Sequence, residues 1–134
     1  MKRNKKYNKE IPKEKFMNGL KHIVLFLGIG ILIAQDRPEE FQHYQSTLQA
    51  SYYFDSVTIN GVPVDSVDWV GAFNGDVCVG ARKWDTSLCN SGVCEVVVMG
   101  SDGYDESIGY MQMGDIPTFR IYDASGIIFY DALP

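Results

Sequence analysis

Residues 69–84 read WVGAFNGDVCVGARKW and carry the strongest structural signal in the chain. The central Asn74-Gly75 dipeptide suits the two positive-φ positions of a type I′ turn, whose twist matches that of a β-hairpin. The residues before and after it alternate in a way that predicts two antiparallel strands. Gly71 and Gly80 lack a Cβ atom, so each permits a bulge or the close approach of another backbone or a large ring. The stretch predicts a β-hairpin, and it gives no information about activity.

Further strands are predicted on both sides of this hairpin, at residues 44–59 (two strands or one long bent strand), 95–99, 116–122 and 127–130. A helix over residues 46–53 is the alternative for part of the first segment. Asn60-Gly61 is a second type I′ signal, and residues 100–114 contain enough Gly and Asp to predict a long loop. About seven short strands in a region of this size are typical of a single antiparallel β-sandwich.

The first 34 residues differ in composition from the rest. Eight of the twelve Lys and Arg precede Ala34, and residues 23–34 form an uninterrupted apolar run. That run is too short to cross about 30 Å of hydrocarbon as a helix, but it suits the apolar region of a secretory signal peptide. We expect residues 1–34 to be a signal peptide and residues 35–134 to be an exported β-sandwich domain without a membrane span. An uncleaved N-terminal anchor is the alternative.

The exported part is strongly acidic. Residues 35–134 contain four basic and fifteen acidic side chains, a formal charge of −11. Such a surface is repelled by the phosphate backbone of nucleic acids. Nucleic acid is therefore excluded as an expected partner.

All three cysteines lie in the part of the chain that is predicted to be exported, where disulfides persist. Cys89 and Cys94 flank an Asn-Ser-Gly-Val segment that can turn back, so a Cys89–Cys94 bond is predicted, with Cys78 as a free, core-facing thiol. Closing so short a loop stabilises the fold by roughly 2 kcal/mol, so its role is to hold a loop in place. The alternative is a bond from Cys78 to Cys89 or Cys94.

Three segments together resemble a module of large secreted or surface-attached bacterial proteins. They are the G-A-F-x-G hairpin at residues 71–75, the strand-like residues 96–100, and Phe119-Arg-Ile-Tyr-Asp123. The resemblance covers residues 41–132. It implies an immunoglobulin-like β-sandwich at or outside the cell surface, and it implies no activity and no site residue. In that family the modules often occur in tandem, and the end of the chain just after the last predicted strand is compatible with one module of a longer protein.

No catalytic constellation is recognisable. The histidines are His22, in the predicted signal peptide, and His43, and nothing near His43 in the sequence suggests a Ser-His-Asp or Cys-His arrangement. Paired carboxylates for glycoside hydrolysis are an alternative in so acidic a chain. Loop aspartates more commonly form turns, so we expect a protein that is not an enzyme.

A calcium site is one hypothesis for the 101–106 loop. Asp102, Asp105 and Glu106 place three carboxylates in a glycine-containing loop, and Ca²⁺ prefers oxygen ligands. The spacing differs from that of an EF-hand. Solvated loop carboxylates without a metal are the competing interpretation, so the expectation is no cofactor or one structural Ca²⁺.

Aromatic residues are numerous for a small domain, and exposed rings could stack on sugars. Trp84 follows Arg82-Lys83, and Tyr104 and Tyr110 lie in the predicted loop, so these three are the candidate ligand-binding residues. Trp69 and Tyr122 are expected to pack in the core or on a strand face. The preferred function is a non-catalytic extracellular structural or adhesive module with a cell-surface glycan or protein as its partner. A carbohydrate-binding module that uses the exposed aromatics is the alternative.

Overall fold

The structure, a computed structural model, describes residues 37–133. The predicted signal peptide, residues 1–34, lies outside the described residues and stays a prediction. Within residues 37–133, no helix has the length and apolar character that crossing a membrane requires.

The described chain is all-β, as predicted, with eight strands where about seven were expected. In chain order the strands are β1 (Gln49–Phe54), β2 (Thr58–Ile59), β3 (Val62–Pro63), β4 (Trp69–Asn74), β5 (Val77–Lys83), β6 (Cys94–Met99), β7 (Thr118–Asp123) and β8 (Ile128–Ala132). Single turns of 3-10 helix lie at Glu39–Phe41, Thr86–Leu88 and Asp105–Ser107. The helical alternative for residues 46–53 is wrong, because β1 covers most of that segment.

The strands form three antiparallel sheets. The largest has the order β5-β4-β7-β8, a second pairs β1 with β6, and β2 and β3 form a small hairpin. The β1–β6 ladder runs from Gln49↔Met99 to Phe54↔Cys94. This arrangement is consistent with the predicted β-sandwich.

The two hairpin turns differ from each other. Asn60 and Gly61 have φ of 52° and 81° between the paired residues Ile59 and Val62, as a type I′ turn requires. In the central hairpin Asn74 pairs with Val77, so the turn residues are Gly75 and Asp76.

The prediction of a type I′ turn centred on Asn74-Gly75 is therefore wrong by one residue. Gly75 has φ of 61°, whereas Asp76 is not among the residues with positive φ, and this sign pattern belongs to a type II′ turn. The Asn74 side chain has another role, since its amide donates to the Gly109 carbonyl oxygen at 3.0 Å.

A bulge follows this turn. Ala72 pairs with Gly80 but Phe73 pairs with Cys78, so Val79 is an extra residue on β5. A Cβ atom on Gly80 would lie 2.1 Å from the Val97 carbonyl oxygen of β6. The predicted close approach of another backbone is thereby confirmed at Gly80.

At Gly71 the group that approaches closely is an aromatic ring instead of a backbone. A Cβ atom there would lie 3.0 Å from ring atoms of both Phe41 and Phe73. The Phe41 ring thus covers the centre of β4, and the predicted approach of a large ring is confirmed at Gly71.

β4 is buried on both of its faces. One face contributes to a core shared by the two larger sheets, which contains Val70, Ala72, Val79, Trp84, Cys94, Val96, Val98, Met99, Tyr110 and Met111. The opposite face contributes to a smaller core of Phe41, Trp69, Phe73 and Cys78, with Tyr122 packed against it. The predicted core position of Trp69 is confirmed, and Tyr122 is partly buried against the same core. The segment before β1 covers this outer face of β4 through Phe41.

Ile127, in the turn before β8, has an unfavourable backbone conformation. Its φ is 55° and its side chain is 76% exposed, so a β-branched residue occupies the left-handed region with little burial in return. We expect Ile127→Gly to raise the free energy of unfolding by about 1 kcal/mol, measured by urea denaturation. The control Ile128→Gly, in the neighbouring strand, should lower it. An Ile127→Gly protein less stable than wild type would contradict the prediction.

Candidate functional site

One surface cleft lies between the segment before β1 and the loop that follows β6. It has a volume of about 380 Å³ and is lined by Tyr44, Gln45, Ser46, Thr47, Asp102, Tyr104, Glu106 and Ser107. We call it the Tyr44–Tyr104 cleft, because these two tyrosines are 67% and 69% exposed. It contains one predicted ligand-binding residue, Tyr104, and two of the predicted calcium ligands, Asp102 and Glu106.

Tyr110 is buried, so the prediction that its ring is exposed is wrong. It is 4% exposed and belongs to the core between the sheets. Its hydroxyl accepts a hydrogen bond from the Tyr44 backbone N–H at 2.7 Å and donates to the Tyr44 carbonyl at 3.2 Å. Burial raises the pKa of this phenol, which stays a neutral donor. Tyr110 therefore fixes the backbone of the exposed Tyr44.

Asp102 joins the two sides of the cleft. Its carboxylate accepts hydrogen bonds from the Thr47 backbone N–H at 2.9 Å, the Thr47 hydroxyl at 3.1 Å and the Ser107 hydroxyl at 2.8 Å. It also accepts a longer bond, of 3.4 Å, from the Tyr104 N–H. These donors, the Thr47 backbone first, hold the pKa of Asp102 well below its ordinary value.

The structure does not bring Asp102, Asp105 and Glu106 together as a calcium-ligand set. Within residues 37–133 there is no group of three or more His, Cys, Asp or Glu side chains that could hold a metal ion. The reason at Asp102 is local: its lone pairs already accept bonds from protein donors, which a cation would have to displace.

The network at Asp102 predicts a pH dependence. A carboxyl whose pKa is lowered by folding stabilises the fold above its unfolded pKa, and this contribution is lost as the pH falls through the folded pKa. We expect Asp102→Asn to melt below wild type at pH 7, and the difference in Tm to shrink below about pH 4. Asp105→Asn, in the same loop, is the matched control. A difference in Tm that stays constant from pH 7 to pH 3 would contradict this assignment.

Trp84 lies far from solvent, so its predicted exposure is also wrong. It is 3% exposed, its ring packs edge-to-face on Phe54 at 5.9 Å, and its backbone N–H donates to the Asp68 carbonyl at 2.8 Å. The preceding Arg82 and Lys83 suggested a solvated end of the hairpin. In the structure Arg82 and Lys83 are half-buried. β5 ends at Lys83, and the next residue, Trp84, packs in the core between the sheets.

The structure brings together one pair that sequence spacing does not reveal. His43 Nδ1 lies 3.9 Å from Cys78 Sγ, in the geometry of a loose Cys-His contact. His43 Nδ1 also lies 3.1 Å from the Phe41 carbonyl, which only accepts, so this nitrogen carries the proton. The Cys78 thiol in turn donates to the Gly80 carbonyl at 3.4 Å.

This pair is not an activated nucleophile. Burial raises the pKa of the Cys78 thiol and lowers the pKa of His43, so both groups are shifted toward their neutral forms. A catalytic cysteine requires the opposite shift of its own pKa. Cys78 and His43 therefore serve as packing groups of the smaller core and its rim.

The predicted disulfide is confirmed. Cys89 and Cys94 are bonded, with their Cα atoms 5.0 Å apart, and Cys78 is a free, buried thiol. The bond ties the loop after β5 to the first residue of β6. It therefore fixes a loop away from the Tyr44–Tyr104 cleft.

Tyr44 is the exposed aromatic residue of the cleft that the sequence analysis does not name as a candidate. The sequence predicts that Tyr44 opens the first strand segment, whereas β1 begins only at Gln49, which leaves Tyr44 in an extended segment at the surface. The polar run of residues 45–47 directly after it was the available signal for that later start.

The site rests on its own geometry, because comparison of the chain with family models, with curated proteins and with solved structures found no match.

Proposed function

We propose that this chain is an exported, non-catalytic module that serves a structural or adhesive role at a bacterial surface or in a secreted protein. The observation that carries the proposal is the Tyr44–Tyr104 cleft, in which two exposed tyrosine side chains stand on backbone segments that are held by hydrogen bonds to the rest of the domain. Exposed aromatic side chains on fixed backbone give binding area at a low cost in conformational entropy. The arrangement favours recognition rather than chemistry.

Two further observations support export and the absence of turnover. The Cys89–Cys94 bond is of the kind that persists in oxidising compartments, in agreement with the predicted signal peptide. The carboxylate of Asp102 is engaged in joining the loops, and the Cys78–His43 pair is shifted toward neutrality. Neither feature supplies a poised acid, base or nucleophile.

Bead adhesion tests this function. The full chain is coupled to beads, and their attachment to intact cells of the producing bacterium is counted. We expect wild type to attach, and the Tyr44→Ala/Tyr104→Ala double variant to lose attachment. Tyr53→Ala is the matched control, because Tyr53 is 68% exposed but does not line the cleft, and it should attach like wild type.

Two results would overturn the proposal. One is attachment by the double variant equal to that of wild type, which would remove the role of the cleft. The other is reproducible hydrolysis of chromogenic ester, peptide or glycoside substrates that is abolished by His43→Ala or Glu106→Gln. Such a result would make the chain an enzyme.

A further inference from the structure

We propose that the Tyr44–Tyr104 cleft binds a neutral or amine-bearing polysaccharide, with a pyranose ring stacked on the exposed tyrosines. This inference rests on the binding function proposed above and names the ligand class. Three properties of the cleft support this ligand class: its tyrosine side chains are exposed on fixed backbone, its charge is negative, and its backbone N–H groups already donate hydrogen bonds to protein acceptors.

Both exposed tyrosines of the cleft stand on backbone that hydrogen bonds hold in place. Tyr44 is held through its N–H and its carbonyl by the buried Tyr110 hydroxyl. Tyr104 is held by the bond from its N–H to Asp102 and by the bond from the Ser107 N–H to its carbonyl at 3.0 Å. Both side chains nevertheless stay about two-thirds exposed. A tyrosine ring offers an apolar face with a polar edge, which suits a sugar ring with C–H groups on its face and hydroxyls at its rim.

The charge of the cleft restricts the sugar. Its lining includes the carboxylates of Asp102 and Glu106 and no Lys or Arg. The whole exported part is also acidic, with a formal charge of −11 over residues 35–134. Uronic acids and sulfated sugars are repelled by such a surface, whereas neutral and amino sugars are not. The side chains of Gln45, Thr47 and Glu106 can hydrogen-bond to hydroxyls or ammonium groups at the rim.

An extended peptide fits the same cleft less well. Peptide recognition by strand addition needs unpaired backbone N–H and C=O groups at a sheet edge. Here the backbone N–H groups of Tyr44, Thr47 and Tyr104 already donate to protein acceptors, and the cleft is formed by loops rather than by a strand edge. Recognition therefore depends on side-chain rings and rim groups, which is the manner in which sugars are bound.

Affinity electrophoresis and pull-down of the full chain test the inference. The neutral probes are soluble cellulose, amylose, β-1,3-glucan and mannan, the amine-bearing probe is chitosan, and the anionic probe is polygalacturonate. We expect retention on at least one neutral or amine-bearing polysaccharide and none on polygalacturonate. Tyr44→Ala and Tyr104→Ala should each weaken binding about tenfold, and Tyr53→Ala should leave it unchanged. Circular dichroism of each variant confirms that the fold is intact.

Each other outcome overturns the inference in a recognisable way. Retention on polygalacturonate that equals retention on the neutral probes would refute the charge argument. Retention that all three tyrosine variants keep would place the sugar outside the cleft. Failure to bind any probe, combined with bead adhesion that requires Tyr44 and Tyr104, would replace the glycan with a protein partner and leave the proposed function standing. Failure of both assays would remove the function together with the inference.

Discussion

Gly80→Ala is expected to destabilise the protein by about 3 kcal/mol or more, which is a large fraction of the free energy of unfolding of a domain of this size. The new Cβ atom would lie 2.1 Å from the Val97 carbonyl oxygen, a separation that real atoms do not reach. The obstacle is backbone on both sides, β5 and β6, so no side-chain rotation relieves it. The two strands would have to separate, and the core between the sheets would open with them.

Gly71→Ala is the matched comparison. There the added Cβ atom meets ring atoms of Phe41 and Phe73 at 3.0 Å, and aromatic side chains can shift by a few tenths of an ångström. We expect a loss of about 1–2 kcal/mol. Urea denaturation of both variants gives the free energies of unfolding. A Gly80→Ala protein as stable as Gly71→Ala would show that the β5–β6 contact is looser than the structure indicates.

These two glycines illustrate how much of the fold local sequence signals can predict. The absence of a side chain within a strand pattern correctly indicated a close approach at each position. The identity of the approaching group was set by the packing of segments far apart in the chain, Phe41 at one glycine and Val97 at the other. The position of the turn was misjudged for a related reason, because it is set by the pairing of Asn74 with Val77, and pairing register is not visible in the Asn-Gly dipeptide.

The candidate site was predicted less well than the fold. The exposure of Tyr104 could be predicted, because its neighbours in the sequence are rich in Gly and Asp and residues of such loops are normally exposed. In the structure Tyr104 is indeed exposed. Tyr110 lies in the same loop, but its burial depends on a contact with Tyr44, which is 66 residues away in sequence. Trp84 is buried because β1 brings Phe54 against it. Exposure of a single aromatic residue is thus decided by tertiary contacts that a local pattern does not contain.

Asp68→Ala is the second large prediction, with an expected loss of about 2–3 kcal/mol. Asp68 is 4% exposed, and its carboxylate accepts the Asp65 N–H at 2.7 Å and the Ala124 N–H at 3.0 Å. It therefore joins the turn before β4 to the turn between β7 and β8. Removal of the carboxylate leaves both backbone donors without their acceptor. The backbone carbonyl of Asp68 also accepts a hydrogen bond from the Trp84 N–H, so Asp68 contacts the end of β5 as well.

Asp68→Asn separates the hydrogen bonds from the volume of the side chain. The amide keeps one acceptor oxygen but turns an NH₂ group toward the other backbone donor. The free energy of unfolding of Asp68→Asn should therefore lie between those of wild type and Asp68→Ala. Asp76→Ala is the control, since Asp76 is fully exposed and its 3.6 Å contact with Arg120 is a surface ion pair that contributes little. Amide hydrogen exchange gives the local signature: the Asp65 and Ala124 amides should lose protection in Asp68→Ala and not in Asp76→Ala. If those two amides stayed protected, Asp68 would not be the link between the turns, because its carboxylate is the acceptor for both.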